Sequence, residues 1–188
     1  MPDVWEVSWG EAGDIDARWE RIMKERWGFP VLLLTAVSGV FGAGLAWMTH
    51  MHHRALQYIA PGRMAEFDAG YERLSDLTVI PAGVVGVAGS VLLLWLRPKG
   101  VPVWMIVGTL ALQLSVFVTR IWWWGAWAEE VREAGAVWRA DGGVHEAYSR
   151  YMDTNGIRIA VITAYALSAA GMVFRAFQWQ RSNAHASV

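Results

Sequence analysis

Four runs of the chain are apolar for about the 20 residues that a bilayer-spanning helix needs: 29–49, 77–96, 101–124 and 156–177. Polar sequence separates them, so the pattern predicts an all-α fold, an integral membrane four-helix bundle occupying 29–180. Residues 1–28 are polar but rich in tryptophan. Within them 14–27 reads as a helix with Ile15, Trp19, Ile22 and Met23 on one side, the stripe expected of an interfacial helix. Pro30 and Pro81 are placed in the first turns of the first and second spanning helices, where a missing N–H costs nothing. The connection 54–76 is expected to hold a short helix at 64–74. The connection 128–154 is expected to be helical on both sides of Asp141-Gly142-Gly143. These two polar loops fall on one face of the bundle, and 181–188 reads as a disordered tail.

Composition strengthens this reading. Of 188 residues 55% are apolar and 13% aromatic, which suits a membrane bundle better than a soluble domain of this size. A net charge of −1 without a basic run argues against nucleic acid as a partner. The absence of cysteine excludes disulfides, thiol catalysis and cysteine metal sites. Acidic residues from Asp3 to Asp16 precede the first apolar run, where a cleavable signal would be basic, so the first segment is expected to stay attached. An even number of spans puts both termini and the Arg97 turn on one side. Arg18, Arg21, Lys24, Arg26, Arg97, Lys99, Arg175 and Arg181 crowd that side, which predicts cytoplasmic termini in a plasma membrane.

The candidate chemistry is located by depth. Tyr151, Asn155 and Arg158 stand at i, i+4 and i+7 on one helical face, and the stripe continues through Ile162, Tyr165 and Ala169. Arg120 closes the third span and Arg158 opens the fourth. His50 and His53 close the first, while Glu72 and Asp76 precede the second. All reach one level. Charge in a membrane costs roughly 2.5–3.5 kcal/mol at a helix centre and usually faces a cavity. The expectation is a cavity with His50, His53, Glu72, Asp76, Arg120, Asn155 and Arg158 as polar groups and Trp123, Trp124, Trp127 and Tyr151 as walls. Duller readings exist for each: the arginines snorkel or pair with Glu72 or Asp76, Asn155 bridges helices, and the tryptophans form an interface belt.

His50 and His53 share a helical face and His52 points elsewhere. A copper or zinc site would therefore need His145 or Glu72 as a further ligand; otherwise no cofactor is expected. Phosphate loops, dinucleotide fingerprints and nucleophile elbows are absent. Gly39, Gly42 and Gly44 offer a small face that serves either a homo-oligomer or the bundle itself.

The segment Tyr148-Ser-Arg-Tyr-Met-Asp-Thr-Asn155-Gly-Ile-Arg158, leading into an alanine-rich helix, resembles the opening of the last helix of the anthrone-oxygenase-like membrane proteins. The glycine-rich first span, Pro102-Val103-Trp104 before the third and Thr119 near its end agree with that resemblance, which covers about 32–174. It implies a small four-helix membrane protein with Thr119, Asn155 and Arg158 at the site. It also implies oxidation of an anthrone to an anthraquinone, as some fungal members are associated with. The chain departs from the family's Asn-x-Pro-x-Asn pattern, holding Trp123, Gly125 and Trp127 there.

The expected function is a tailoring enzyme for an apolar aromatic or polyketide-like metabolite. His50, His53 or Glu72 would remove a proton. Arg158, Asn155 and Arg120 would stabilise the enolate or phenolate, which can meet oxygen without a cofactor. A cyclase, an isomerase or an epoxide-opening enzyme could use the same groups. The rival reading is a non-catalytic binding, transport or scaffold subunit, in which Arg120 pairs with Glu72 or Asp76 and no cavity remains.

Overall fold

The computed structural model describes residues 10–60 and 62–186, which carry helices α1 (Gly10–Ala55), α2 (Met64–Leu96), α3 (Val103–Thr119), α4 (Gly125–Ala134) and α5 (Glu146–Ala186). A 3-10 turn, Leu56–Tyr58, comes after α1, and a π turn, Arg120–Trp124, joins α3 to α4. The fold of the described residues is all-helical, with a single isolated β-bridge between Trp138 and Val144. Among the described residues four helical stretches are long and apolar enough to cross a membrane: Ile22–Tyr58, Met64–Leu96, Val103–Ala134 and Glu146–Ala184.

The helices run further than the sequence pattern suggests. No break separates an interfacial helix from the first span, because α1 is one helix of 46 residues with Pro30 inside it. Likewise the short loop helix and the second span are one helix of 33 residues with Pro81 inside. An internal proline removes one backbone hydrogen bond and crowds the carbonyl four residues earlier. Long apolar helices tolerate this where neighbouring groups or local adjustments of the winding satisfy the freed carbonyl. The expected tail is helical through Ala186. Residues 1–9, at the start of the expected interfacial segment, lie outside the described residues.

Two cores bracket the bundle. At one end Leu32, Leu93, Val101, Ile106, Ala169 and Met172 pack α1, α2, α3 and α5 together. The α2–α3 turn is closed there by Gly100 at φ +87, where a Cβ would meet the Trp179 side chain. Lys99 ties the same turn to α1 through Glu25 at 3.0 Å and lies over the Trp179 ring of α5. At the other end Leu56, Met64, Val131, Val137, Ala147 and Tyr148 form a smaller core beneath the loops. The Trp138 indole donates to the Gln57 carbonyl at 2.9 Å, fastening the 135–145 loop over this cluster. Within that loop the Gly143 N–H, and after it Arg139, hold the Asp141 carboxyl below the usual carboxylate range.

The expected small face of α1 is only partly used. At Gly39 a Cβ would stand 3.0 Å from the Tyr165 ring and 3.2 Å from the Ala166 backbone, so this glycine sets the approach of α5. At Gly44 nothing lies within 4 Å. Gly39→Leu should therefore lower bundle stability by about 2 kcal/mol or more, the range for overpacking. Gly44→Leu should leave it unchanged or slightly raised. Thermal unfolding of the two variants in detergent micelles checks this, and equal losses would contradict the assignment of Gly39 to the α1–α5 contact.

Candidate functional site

Between the two cores lies a cavity of about 450 Å³, walled by all five helices. Its chemistry is concentrated around Tyr151, in the second turn of α5 and almost fully buried. The Arg158 guanidinium, two turns on along the same face, donates from Nη1 to the Tyr151 hydroxyl at 2.9 Å. It also lies over the Tyr151 ring at 5.5 Å and the Trp124 ring at 5.7 Å. Arg158 is 7% exposed and forms no ion pair among the described residues, and its Nε and Nη2 have no hydrogen-bond partner.

His53 also stacks on Tyr151, with ring centres 4.3 Å apart. Its Nδ1 lies 2.8 Å from the Thr49 carbonyl. A carbonyl only accepts, so Nδ1 carries the hydrogen and the lone pair of the neutral ring sits on Nε2. His53, Tyr151 and Arg158 all line the cavity. This arrangement can take a proton at one atom and hold negative charge on oxygen at another.

Other sequence-predicted residues take different places. Arg120 and Asp76 line the cavity at its exposed rim and do not pair with each other. His50 and Asn155 bond to one another instead, Asn155 Nδ2 donating to His50 Nδ1 at 2.7 Å, and neither lines the cavity. That bond occupies the His50 lone pair, which removes His50 as the base in this arrangement. Trp123 points outward and is 55% exposed. Trp124 is buried with its N–H donated to Thr154 at 3.0 Å, and Trp127 packs on the smaller core. The expected tryptophan walls are thus one outward residue and two structural ones.

Thr119 spends its hydroxyl on the Ser115 carbonyl of its own helix. His145 accepts from the Ala147 N–H, and no three His, Asp or Glu side chains converge as metal ligands among the described residues. The side chain of Glu72 lies outside the described residues.

A clamp that helical spacing does not predict stands beside the cavity. Asp68 of α2 receives His52 Nε2 of α1 on one oxygen and Arg132 Nε of α4 on the other, each at 3.0 Å. The His52 ring stacks with both Phe67, at 5.0 Å, and Tyr71, at 3.5 Å. Tyr71 in turn donates to the Thr49 hydroxyl at 2.6 Å. These partners are 16 and 64 residues apart in the chain, a separation that helical periodicity does not address.

Comparison with known protein families, curated proteins and solved structures finds no match for this chain.

Gln113 of α3 is a further site residue, absent from the sequence-based expectation: it is buried, lines the cavity and has both amide atoms without a partner. Its one visible signal is an amide in the middle of an otherwise apolar span.

Removing the carboxylate of the clamp leaves two donors without their acceptor. Asp68→Ala should lower stability by about 3 kcal/mol, the range for breaking a buried pair, and Asp68→Asn by less. Denaturant unfolding in micelles checks this; an unchanged midpoint for Asp68→Ala would reduce the clamp to an ornament of the surface.

Proposed function

We propose that this protein sits in a lipid bilayer, with cytoplasmic termini in a plasma membrane, and is a tailoring enzyme for an apolar, oxygen-bearing aromatic metabolite. The observation that carries the reading is the pair of groups that meet at Tyr151: a buried guanidinium without a carboxylate, and a stacked imidazole with a free Nε2. The outward faces support membrane residence, since Val40, Phe41, Trp95, Trp104 and Leu167 are all more than half exposed. A water-soluble monomer seldom carries so much exposed apolar surface. The rim between α2 and α3 includes the exposed Val79, Ile80 and Phe117, an apolar doorway suited to a lipid-dissolved substrate.

The chemistry is that of the two groups. His53 Nε2 removes a proton from a ring CH₂ conjugated with a carbonyl through the aromatic system, and the charge moves to the carbonyl oxygen. Arg158, through Nε and Nη2, holds that oxygen, and the low dielectric of the cavity strengthens the interaction. The carbanion then has two fates. Molecular oxygen can convert the CH₂ to C=O with release of one water, the reaction that the resemblance to anthrone oxygenases implies. Return of the proton to another carbon gives an isomerase or starts a cyclisation. Arg120 at the rim attracts anionic or phenolic substrates.

A second reading rests on the His52–Asp68–Arg132 clamp, the type of structural pairing a non-catalytic binding subunit would have. Proton exchange separates the two. In deuterated buffer and micelles, the protein should speed exchange at the anthrone methylene, followed by NMR, above the protein-free rate. His53→Ala and Arg158→Leu should each slow it by about 10²-fold or more. Exchange at the protein-free rate, with anthrone bound, would turn the conclusion to a binding protein; full exchange in both variants would remove the roles given to these residues.

A further inference from the structure

The cavity has a second polar end. Gln113 is 5% exposed, and neither its Nε2 nor its Oε1 has a hydrogen-bond partner. The hydroxyls of Tyr165 and Ser38 converge on the same place. A Cβ built on Gly86 would stand 2.6 Å from the Tyr165 hydroxyl, 3.1 Å from Ser38 Oγ and 3.2 Å from Gln113 Nε2. Both hydroxyl hydrogens are committed, Ser38 to the Ala82 carbonyl at 2.6 Å and Tyr165 to the Thr35 carbonyl at 3.3 Å. Their lone pairs remain, beside an amide that can both donate and accept.

The two ends are separated by a fixed rise. Tyr165 lies seven residues beyond Arg158 on α5, and Gln113 precedes Arg120 by seven on α3. At 1.5 Å per residue each gives about 10 Å. Apolar lining fills the interval, including Ile162, Val116 and Leu45.

We propose that Gln113, with the Tyr165 and Ser38 hydroxyls, forms a second subsite that takes a hydroxyl or carbonyl at the far end of a rigid apolar ligand. The ligand's first oxygen sits at Arg158, so the inference rests on the Arg158 reading and narrows its substrate to molecules with oxygen at both ends. Gly86 lets the three side chains gather against the α2 backbone. Gln113 is a specificity residue here, remote from the carbon that loses its proton. A leucine would pack in its place without leaving polar atoms unpaired, so stability alone does not account for the amide.

Two probes test this in the full-length protein in micelles: 4-hydroxybiphenyl, with one phenol, and 4,4′-dihydroxybiphenyl, whose oxygens span roughly the required distance. Binding is read from tryptophan fluorescence and calorimetry. The diphenol should bind about tenfold more tightly than the monophenol, the worth of one buried hydrogen bond. Gln113→Leu should erase that difference, keep monophenol affinity and unfold at the same temperature or higher. Gln113→Met, which keeps the length of the side chain without its amide, should also erase the difference and carries the test if Gln113→Leu does not fold. Equal affinities in the wild type, or a preference that survives Gln113→Leu, overturns the subsite and leaves the Arg158 reading standing. Binding of neither probe by the folded wild type overturns the Arg158 reading and the subsite with it.

Discussion

Arg158 is a buried cation held by one hydrogen bond and two ring faces, and the rest of the site is arranged around that imbalance. Taking a charge out of water costs several kcal/mol, and a hydrogen bond with cation–π contact offsets only part of it. A carboxylate would normally complete such a site. Asp68 also lines the cavity, yet both of its oxygens are engaged by His52 and Arg132. The clamp therefore does more than join α1, α2 and α4. By occupying the buried carboxylate it leaves Arg158 without an ion-pair partner among the described residues, and stability gained on one wall preserves the unmet demand on another.

The opening of α5 is legible in the sequence because helical spacing decides which residues share a face. Tyr151 and Arg158, two turns apart, share one in the structure and touch. Spacing does not decide which neighbour each residue finds. Asn155 lies on the same stripe, but the ring of His50 takes its amide. His50 and His53 are three residues apart, about 60° around the helix, enough for one to meet α5 and the other to face the cavity. The Asp68 clamp and the Gln113 subsite join helices distant in sequence, so no local pattern announces them.

Span count is legible for a similar reason, since apolar length is a property of each segment alone. Helix ends are not. Pro30 and Pro81 obey a sound rule for first turns, but apolar sequence downstream and helix-forming sequence upstream carry α1 and α2 through them. The tryptophan run defeats any reading that assumes regular winding. Over Arg120–Trp124 the chain forms a π turn, with the Gly125 N–H reaching back to the Arg120 carbonyl. A π turn inserts one extra residue into the ladder and rotates the residues beyond it about the helix axis. It leaves Ile121, Trp122 and Trp123 outside while Trp124 turns inward beneath Arg158.

The distribution of unpaired polar atoms argues that this interior is built to receive something. Helices in lipid gain little from apolar contact with one another, so small residues and hydrogen bonds hold them together. The glycines at 83, 86 and 89 of α2 fit that rule, admitting Phe117, Tyr165 and Thr35 close to the backbone. A bundle selected only for packing would then pair its buried polar groups, as Ser38, Thr109 and Tyr165 are paired. Instead, four of the six buried side-chain atoms without a partner among the described residues belong to Gln113 and Arg158. Both residues open on the same cavity, at opposite ends of its apolar middle. Unmet hydrogen bonds scattered through a protein suggest loose packing; gathered at the two poles of an apolar chamber, they match the two-ended ligand proposed for it.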